Sequence, residues 1–227
     1  MKMRTVLSIS AVICSSSLGA QKAPDLTPYL IADRTAEIAL ARTAAPPNIS
    51  ANATVLVLTP KGYVQAARGN NGFTCAVMRS FAGTPGDPEF WKPHTRAPLC
   101  FNPPGARTVL PAILAQIDWA IAGATSAEMI GRTKKGYAEK RFKMPAAGAM
   151  AYMLSPNQHL SDDDPQWMPH LMFFYERSLD AAAFGAGGET APIVAGDPTA
   201  PVNVIYIPVR NWSDGSAAVH TAPSVRR

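Results

Sequence analysis

The chain carries few of the residues on which recognisable chemistry is usually built. It has three cysteines and four histidines among 227 residues, so metal-rich and disulfide-dense scaffolds are excluded. It contains no HExxH, no G-x-S-x-G elbow, no S-x-x-K and no paired CxxC. Those gaps remove the zinc-protease, serine-hydrolase and dithiol templates. Gly185-Ala186-Gly187-Gly188 is rich in glycine, but no Lys-Ser/Thr follows it and no strand-to-helix context precedes it. It is therefore not a phosphate loop. Beyond residue 20 no run is apolar enough to span a bilayer, so the mature chain has no transmembrane anchor.

What is present begins with an address. Lys2 and Arg4 precede an apolar run from Val6 to Ile13, and a Ser/Gly/Ala-rich end closes on Gly19 and Ala20. That is the layout of a signal peptide over residues 1–20, cleaved near Ala20. The apolar run is too short for a membrane anchor, which needs about 20 residues. Cys14 follows Ile13 rather than a small residue, which argues against a lipoprotein. The reading is therefore a secreted or periplasmic protein. Losing Lys2 and Arg4 takes the 21 basic residues to 19, which against 16 acidic ones leaves +3 rather than +5.

Cleavage also removes Cys14 and leaves Cys75 and Cys100, which in an oxidising compartment are expected to pair. The loop they would close is about 25 residues long, and the bridge should contribute roughly 3 kcal/mol in the chain-entropy model.

Hydrophobic residues at 47% are enough for a sizeable core, and 21 prolines with 16 glycines predict long, stiff connections. The mature part, 21–227, reads as one domain. Thr27-Pro28 opens a first helix that Pro46-Pro47 ends, with Asp33, Arg34, Glu37 and Arg42 on its wet side. Residues 54–81 read as an antiparallel meander, turned at Thr59-Pro60-Lys61-Gly62 and at Asn70-Asn71-Gly72. In its last strand Phe73, Cys75, Val77 and Phe81 share a face. Residues 82–105 predict no regular element, and Trp91 and His94 within them are candidates to line a ligand cleft.

Leu110, Ile113, Leu114, Ile117 and Ile121 mark the clearest helix. Thr125 with Glu128 is a capping-box pattern for the next one, which Gly131 and Gly136 weaken. Residues 132–143 are basic, but two interleaved rings and a net +3 do not make a nucleic-acid surface. Ala181 to Pro201 reads as a flexible connection. VNVIYIPV, with Pro208, reads as an edge strand, and the tail frays from about 213.

Two strand-like runs, Ala149–Leu154 and Leu171–Tyr175, flank a loop with His159, Asp162, Asp163, Asp164, Trp167 and His170. A connection between antiparallel neighbours brings its ends together. His159 and His170 could then converge with an aspartate on a divalent metal, or act as base and orienting acid. His159, Asp162, Asp164 and His170 are the catalytic candidates, and His159 and His170 the metal candidates. Trp167 and Glu176 join Trp91 and His94 as ligand-binding candidates.

The order of elements implies an α+β fold: an antiparallel or mixed sheet of about six strands, with two or three helices on one face. Three functions are compatible with these residues. The first is non-catalytic binding of a small molecule or envelope component beside the 82–105 loop. The second is a metal-dependent or His/Asp-based hydrolase centred on the 159–170 loop. The third is a structural protein without a chemical site.

Overall fold

The computed structural model describes residues 24–163, 166–177, 181–185, 192–196 and 200–218. The expected signal peptide, residues 1–20, and Asp164 lie outside them. Among the described residues there are eight strands: β1 Thr54–Thr59, β2 Gly62–Ala67, β3 Thr74–Met78, β4 Ala97–Phe101, β5 Met150–Met153, β6 His170–Glu176, β7 Ile193–Gly196 and β8 Val202–Pro208. Five helices accompany them: α1 Arg34–Arg42, α2 Pro47–Ser50, α3 Pro103–Thr108, α4 Leu110–Ile121 and α5 Ser126–Ala138. The class is α+β, with eight strands in place of about six. They form one mixed sheet in the order β2-β1-β3-β4-β5-β6-β8-β7. Only β1 and β3 pair in parallel among the described strands.

The hairpin between β1 and β2 turns at Pro60-Lys61, and Gly62 completes it at φ 104°, which glycine adopts without strain. The second expected hairpin is overturned: β3 pairs with β1, not with β2. The reason lies in β1, whose Val55, Val57 and Leu58 are buried on both faces, so it takes an interior place. The half-polar β2, with Val64 39% exposed, becomes the edge. Residues 68–73 therefore cross the start of β1, where Thr54 N–H donates to Phe73 O at 2.9 Å and Asn70 N–H to Asn52 O at 3.0 Å. A Cβ on Gly69 would lie 2.2 Å from Thr54 N, so only glycine fits this crossing.

Other boundaries also move. Thr27-Pro28 opens only a 3-10 turn ending at Tyr29, and α1 starts at Arg34 with Asp33 as its cap, accepting from Thr35 N–H at 2.8 Å. The 82–105 segment contains β4, which pairs along its whole length with β3. The 181–201 connection contains β7, so β8 is not the edge strand. Pro208 is tolerated because it lies past β7, which pairs only with Asn203–Tyr206. The Thr125–Glu128 capping box forms, and α5 runs unbroken through Gly131 and Gly136. The tail expected to fray from about 213 is a closed turn as far as 218: Ser213 N–H donates to Leu154 O at 2.8 Å and Ala218 N–H to Arg210 O at 2.8 Å.

Strand alternation divides the core in two, and helices cover both faces of the sheet rather than one. On one face Ala41, Ala44 and Ala45, at the end of α1, pack on Val55, Cys75, Val77 and Cys100. Cys75 and Cys100 are opposite each other in β3 and β4, disulfide-bonded, with Cα atoms 3.9 Å apart. On the other face Ile117, Ala120 and Met129 of α4 and α5 pack with Leu58, Ala76, Met78, Leu99 and Phe101. Phe81, on a 3-10 turn over Ser80–Ala82, joins this second core rather than the cysteine face. Among the described residues no helix is long and apolar enough to cross a membrane.

Candidate functional site

β5 and β6 are antiparallel neighbours, with Met153 opposite His170, as their sequence predicts. The loop between them nevertheless separates its candidates. His159 pairs by backbone with Arg96, giving and accepting bonds of 2.8 and 2.7 Å. Its Nε2 lies 3.2 Å from Asp162 Oδ1, and His94 Nδ1 reaches the same oxygen at 3.2 Å. The cluster is open to solvent, with the His94 side chain 71% exposed. Hydrogen bonding from His159 and then His94 holds the Asp162 carboxyl below its ordinary pKa. His170, in contrast, starts β6 and is buried, and the partner that shares the Asp162 carboxylate with His159 is His94. Among the described residues no group of three His, Cys, Asp or Glu is arranged to hold a metal ion.

Two half-open hollows lie on the α4 side of the sheet. Along β6 they are lined by His170, Met172 and Phe174. Along β8 they are lined by Val202, Val204 and Tyr206. Ala112, Ile113 and Gln116 of α4 with Tyr137 of α5 wall one end, forming a cavity of about 300 Å³. A second cavity of about 610 Å³ continues under residues 79–97. The two share Met78, Ala82, Gly83, Thr84, Leu99, Met172 and Tyr206, so they adjoin as one cleft. Its upper wall is held by packing rather than by the disulfide, whose sulfurs are on the opposite face. Phe90 is buried and meets Trp91 at 4.9 Å, Trp91 lies 5.8 Å from Phe81, and Gln116 Nε2 donates to Gly83 O at 2.6 Å.

The other ligand-binding candidates divide likewise. Trp167 lines the cleft, its ring 4.6 Å from His170 and 5.8 Å from Tyr206. Trp91 packs behind the wall, His94 points to Asp162, and Glu176 is exposed at the end of β6.

His170 is a buried, neutral ring in the wall of the cleft. Burial pushes its pKa down to about 4, only partly opposed by the bond to Met168 O, so the ring is neutral at pH 7. Nδ1 lies 2.8 Å from Met168 O, and a carbonyl only accepts, so the proton sits on Nδ1. Nε2 is then an unprotonated acceptor, and it has no hydrogen-bond partner among the described residues. Ser80 is another residue of the cleft wall whose hydroxyl is buried without a partner among the described residues.

A second buried polar group escaped the sequence reading. Glu37, assigned to the wet side of its helix, is 1% exposed and meets buried Arg79 at 2.8 Å. Arg79 also donates from Nε to Tyr29 O at 2.7 Å and from Nη1 to Val77 O. Leu58 N–H donates to Glu37 Oε1 at 3.2 Å. One signal was available: Glu37 precedes Ala41 and Ala44 by four and seven residues, which puts all three on one helical face. The basic segment meets acids of its own, Arg132 with Glu128 at 3.9 Å, Lys135 with Glu139 at 3.6 Å and Arg141 with Glu139 at 3.0 Å.

Comparison with known proteins gives no family-model match, no match among curated proteins and no match among solved structures.

Proposed function

We propose that this is an exported, non-catalytic protein that binds an apolar small molecule in the cleft between the sheet and residues 79–97. The observation that carries the reading is the continuous cleft, walled by methionines, aliphatic side chains and rings, with its polar groups confined to a few positions. Its two parts fall in the size range of small-molecule sites, about 300–1,000 Å³. Export is supported by the charged-then-apolar start of the chain and by the Cys75–Cys100 disulfide, which persists in oxidising compartments. The hydrolase reading has less support, because His159 and Asp162 face open solvent and His170 lies apart from them.

The experiment is fluorescence titration of the mature protein with diphenylhexatriene, a hydrocarbon that emits only out of water. One saturable site per chain is expected. Ala82→Trp, at the junction of the two cavities, should weaken uptake by at least about tenfold. Unsaturable uptake, or uptake unchanged in Ala82→Trp, overturns the proposal.

A further inference from the structure

We infer that the ligand of the cleft is an amphiphile with an anionic head, its chain in the apolar hollow and its head at the mouth formed by Lys134 and Arg177. The inference rests on the reading of the cleft as an apolar small-molecule site and adds the charge at one end of the ligand.

The geometry that supports it is a third hollow, of about 420 Å³, which adjoins the first by sharing Tyr137 and Ala200. Two of its lining residues are cationic, Lys134 of α5 and Arg177 just past β6, and among the described residues no acid lines it. Both cations are exposed, so a head group reaches them without leaving water. Gly196 places the second one. A Cβ there would lie 3.4 Å from Arg177 Nη2, so the guanidinium lies against a residue that also lines the first, apolar hollow. Lys134 stands apart from the rest of the basic segment. Arg132, Lys135 and Arg141 have glutamate partners, whereas Lys134 forms no ion pair among the described residues.

The far end of the cleft carries the opposite sign. Asp87 and Glu89 line the second hollow and are exposed, and of the two only Glu89 has a cation beside it among the described residues, Lys92 at 3.9 Å. Arg79 lines the same hollow, but its Nε, Nη1 and Nη2 are bonded to Tyr29 O, Val77 O and Glu37 Oε1, so its charge is matched within the fold. The cleft therefore runs from an acidic mouth through apolar walls to a basic one. Charges of one sign set on low-dielectric walls concentrate ions of the other sign. An anionic head is drawn to Lys134 and repelled at Asp87, which fixes one direction for the ligand.

The test is displacement of diphenylhexatriene at pH 7 by undecanoate and by decyltrimethylammonium, which carry the same decyl chain on heads of opposite charge. Exposed charge pairs are individually weak, so undecanoate should displace the dye better by about tenfold rather than by more. The preference should shrink in about 0.5 M sodium chloride, which screens exposed charges. Lys134→Glu should retain dye binding and level the two probes, and Arg177→Gln should reduce the preference independently. Lys61→Glu makes the same change in net charge at the β1–β2 turn, far along the sheet from this mouth, and should leave the preference intact. Equal displacement by the two probes, tighter binding of the cation, a preference that persists in Lys134→Glu, or one that Lys61→Glu removes as well overturns the inference while leaving the apolar site standing. A wild type that takes up no dye overturns the site itself.

Discussion

Glu37 and His170 are equally deep, each 1% exposed, yet their surroundings differ in kind. Glu37 lies among partners: the Arg79 guanidinium at 2.8 Å, the Leu58 amide at 3.2 Å, and around Arg79 the carbonyls of Tyr29 and Val77. Through Oε1 it ties α1 to β1 and to the residue that follows β3. His170 has one nitrogen satisfied and the other buried without a partner among the described residues. A buried group with a counter-ion and backbone partners ties elements of the fold together, whereas a half-partnered one carries a desolvation cost that nothing offsets. Burial alone does not separate the two; the accounting of donors and acceptors does.

The largest expected effect tests the first half of that comparison. Glu37→Ala leaves the Arg79 charge buried without its counter-ion and should lower stability by about 3–5 kcal/mol in urea unfolding. The double variant Glu37→Leu with Arg79→Met should lose much less, because no charge is then stranded. His170→Phe, which removes one neutral bond, should cost no more than about 1.5 kcal/mol. If Glu37→Ala proves as mild as His170→Phe, the contrast fails.

Replacing both Cys75 and Cys100 by serine comes next, at roughly 3 kcal/mol from released chain entropy. The bridge belongs to the α1 face, so dye uptake by the folded fraction should not change. Loss of uptake at full folding would mean that the two faces are coupled.

A third test uses acid. Unfolded histidine binds a proton near pH 6.5, while folded His170 waits until about pH 4. Between those values the unfolded state holds more protons, so stability rises with pH. His170 therefore contributes stability that is intact above about pH 6.5 and is lost as the pH falls to about 4, amounting to roughly 3 kcal/mol. His170→Phe should flatten the curve over that window. An unchanged slope would place the titrating group elsewhere.

How much of this could be read from the sequence depended on how local the deciding physics was. The helix from Leu110, the capping box at Thr125, the turn at Pro60-Lys61 and the β5–β6 pairing all follow from short-range pattern and turn chemistry, and each is present. The Asn70-Asn71-Gly72 turn carries an equally strong local signal, but the demand of β1 for two buried faces overrode it. The ion pair was hidden because Glu37 and Arg79 are 42 residues apart, and a charge in an amphipathic helix reads as solvated until its partner is known. The cleft drew on the expected loop for Trp167 and His170, but its floor comes from strands far apart in the chain. Ser80 had no sequence signal, because nothing in its neighbours shows that its hydroxyl would be buried without a partner among the described residues.

The smallest effect is expected at the exposed cluster. Asp162 accepts from both His94 and His159, which makes it the most suggestive polar constellation in the sequence and the least consequential in the fold. All three side chains are in contact with water, and exposed pairs of this kind often contribute nothing measurable because solvent screens them and their side chains lose freedom on pairing. The loop is fastened instead by backbone, through the bonds between His159 and Arg96, which no side-chain replacement removes. Asp162→Ala should therefore melt with the wild type at pH 7 and bind diphenylhexatriene equally well. The melts are repeated with zinc, since a metal that binds the native state raises its midpoint as its free concentration rises. No difference between the two proteins is expected at any zinc concentration. A zinc-dependent rise in the wild type that Asp162→Ala abolishes would reverse the comparison and favour the open cluster over the cleft as the place where this protein binds a ligand.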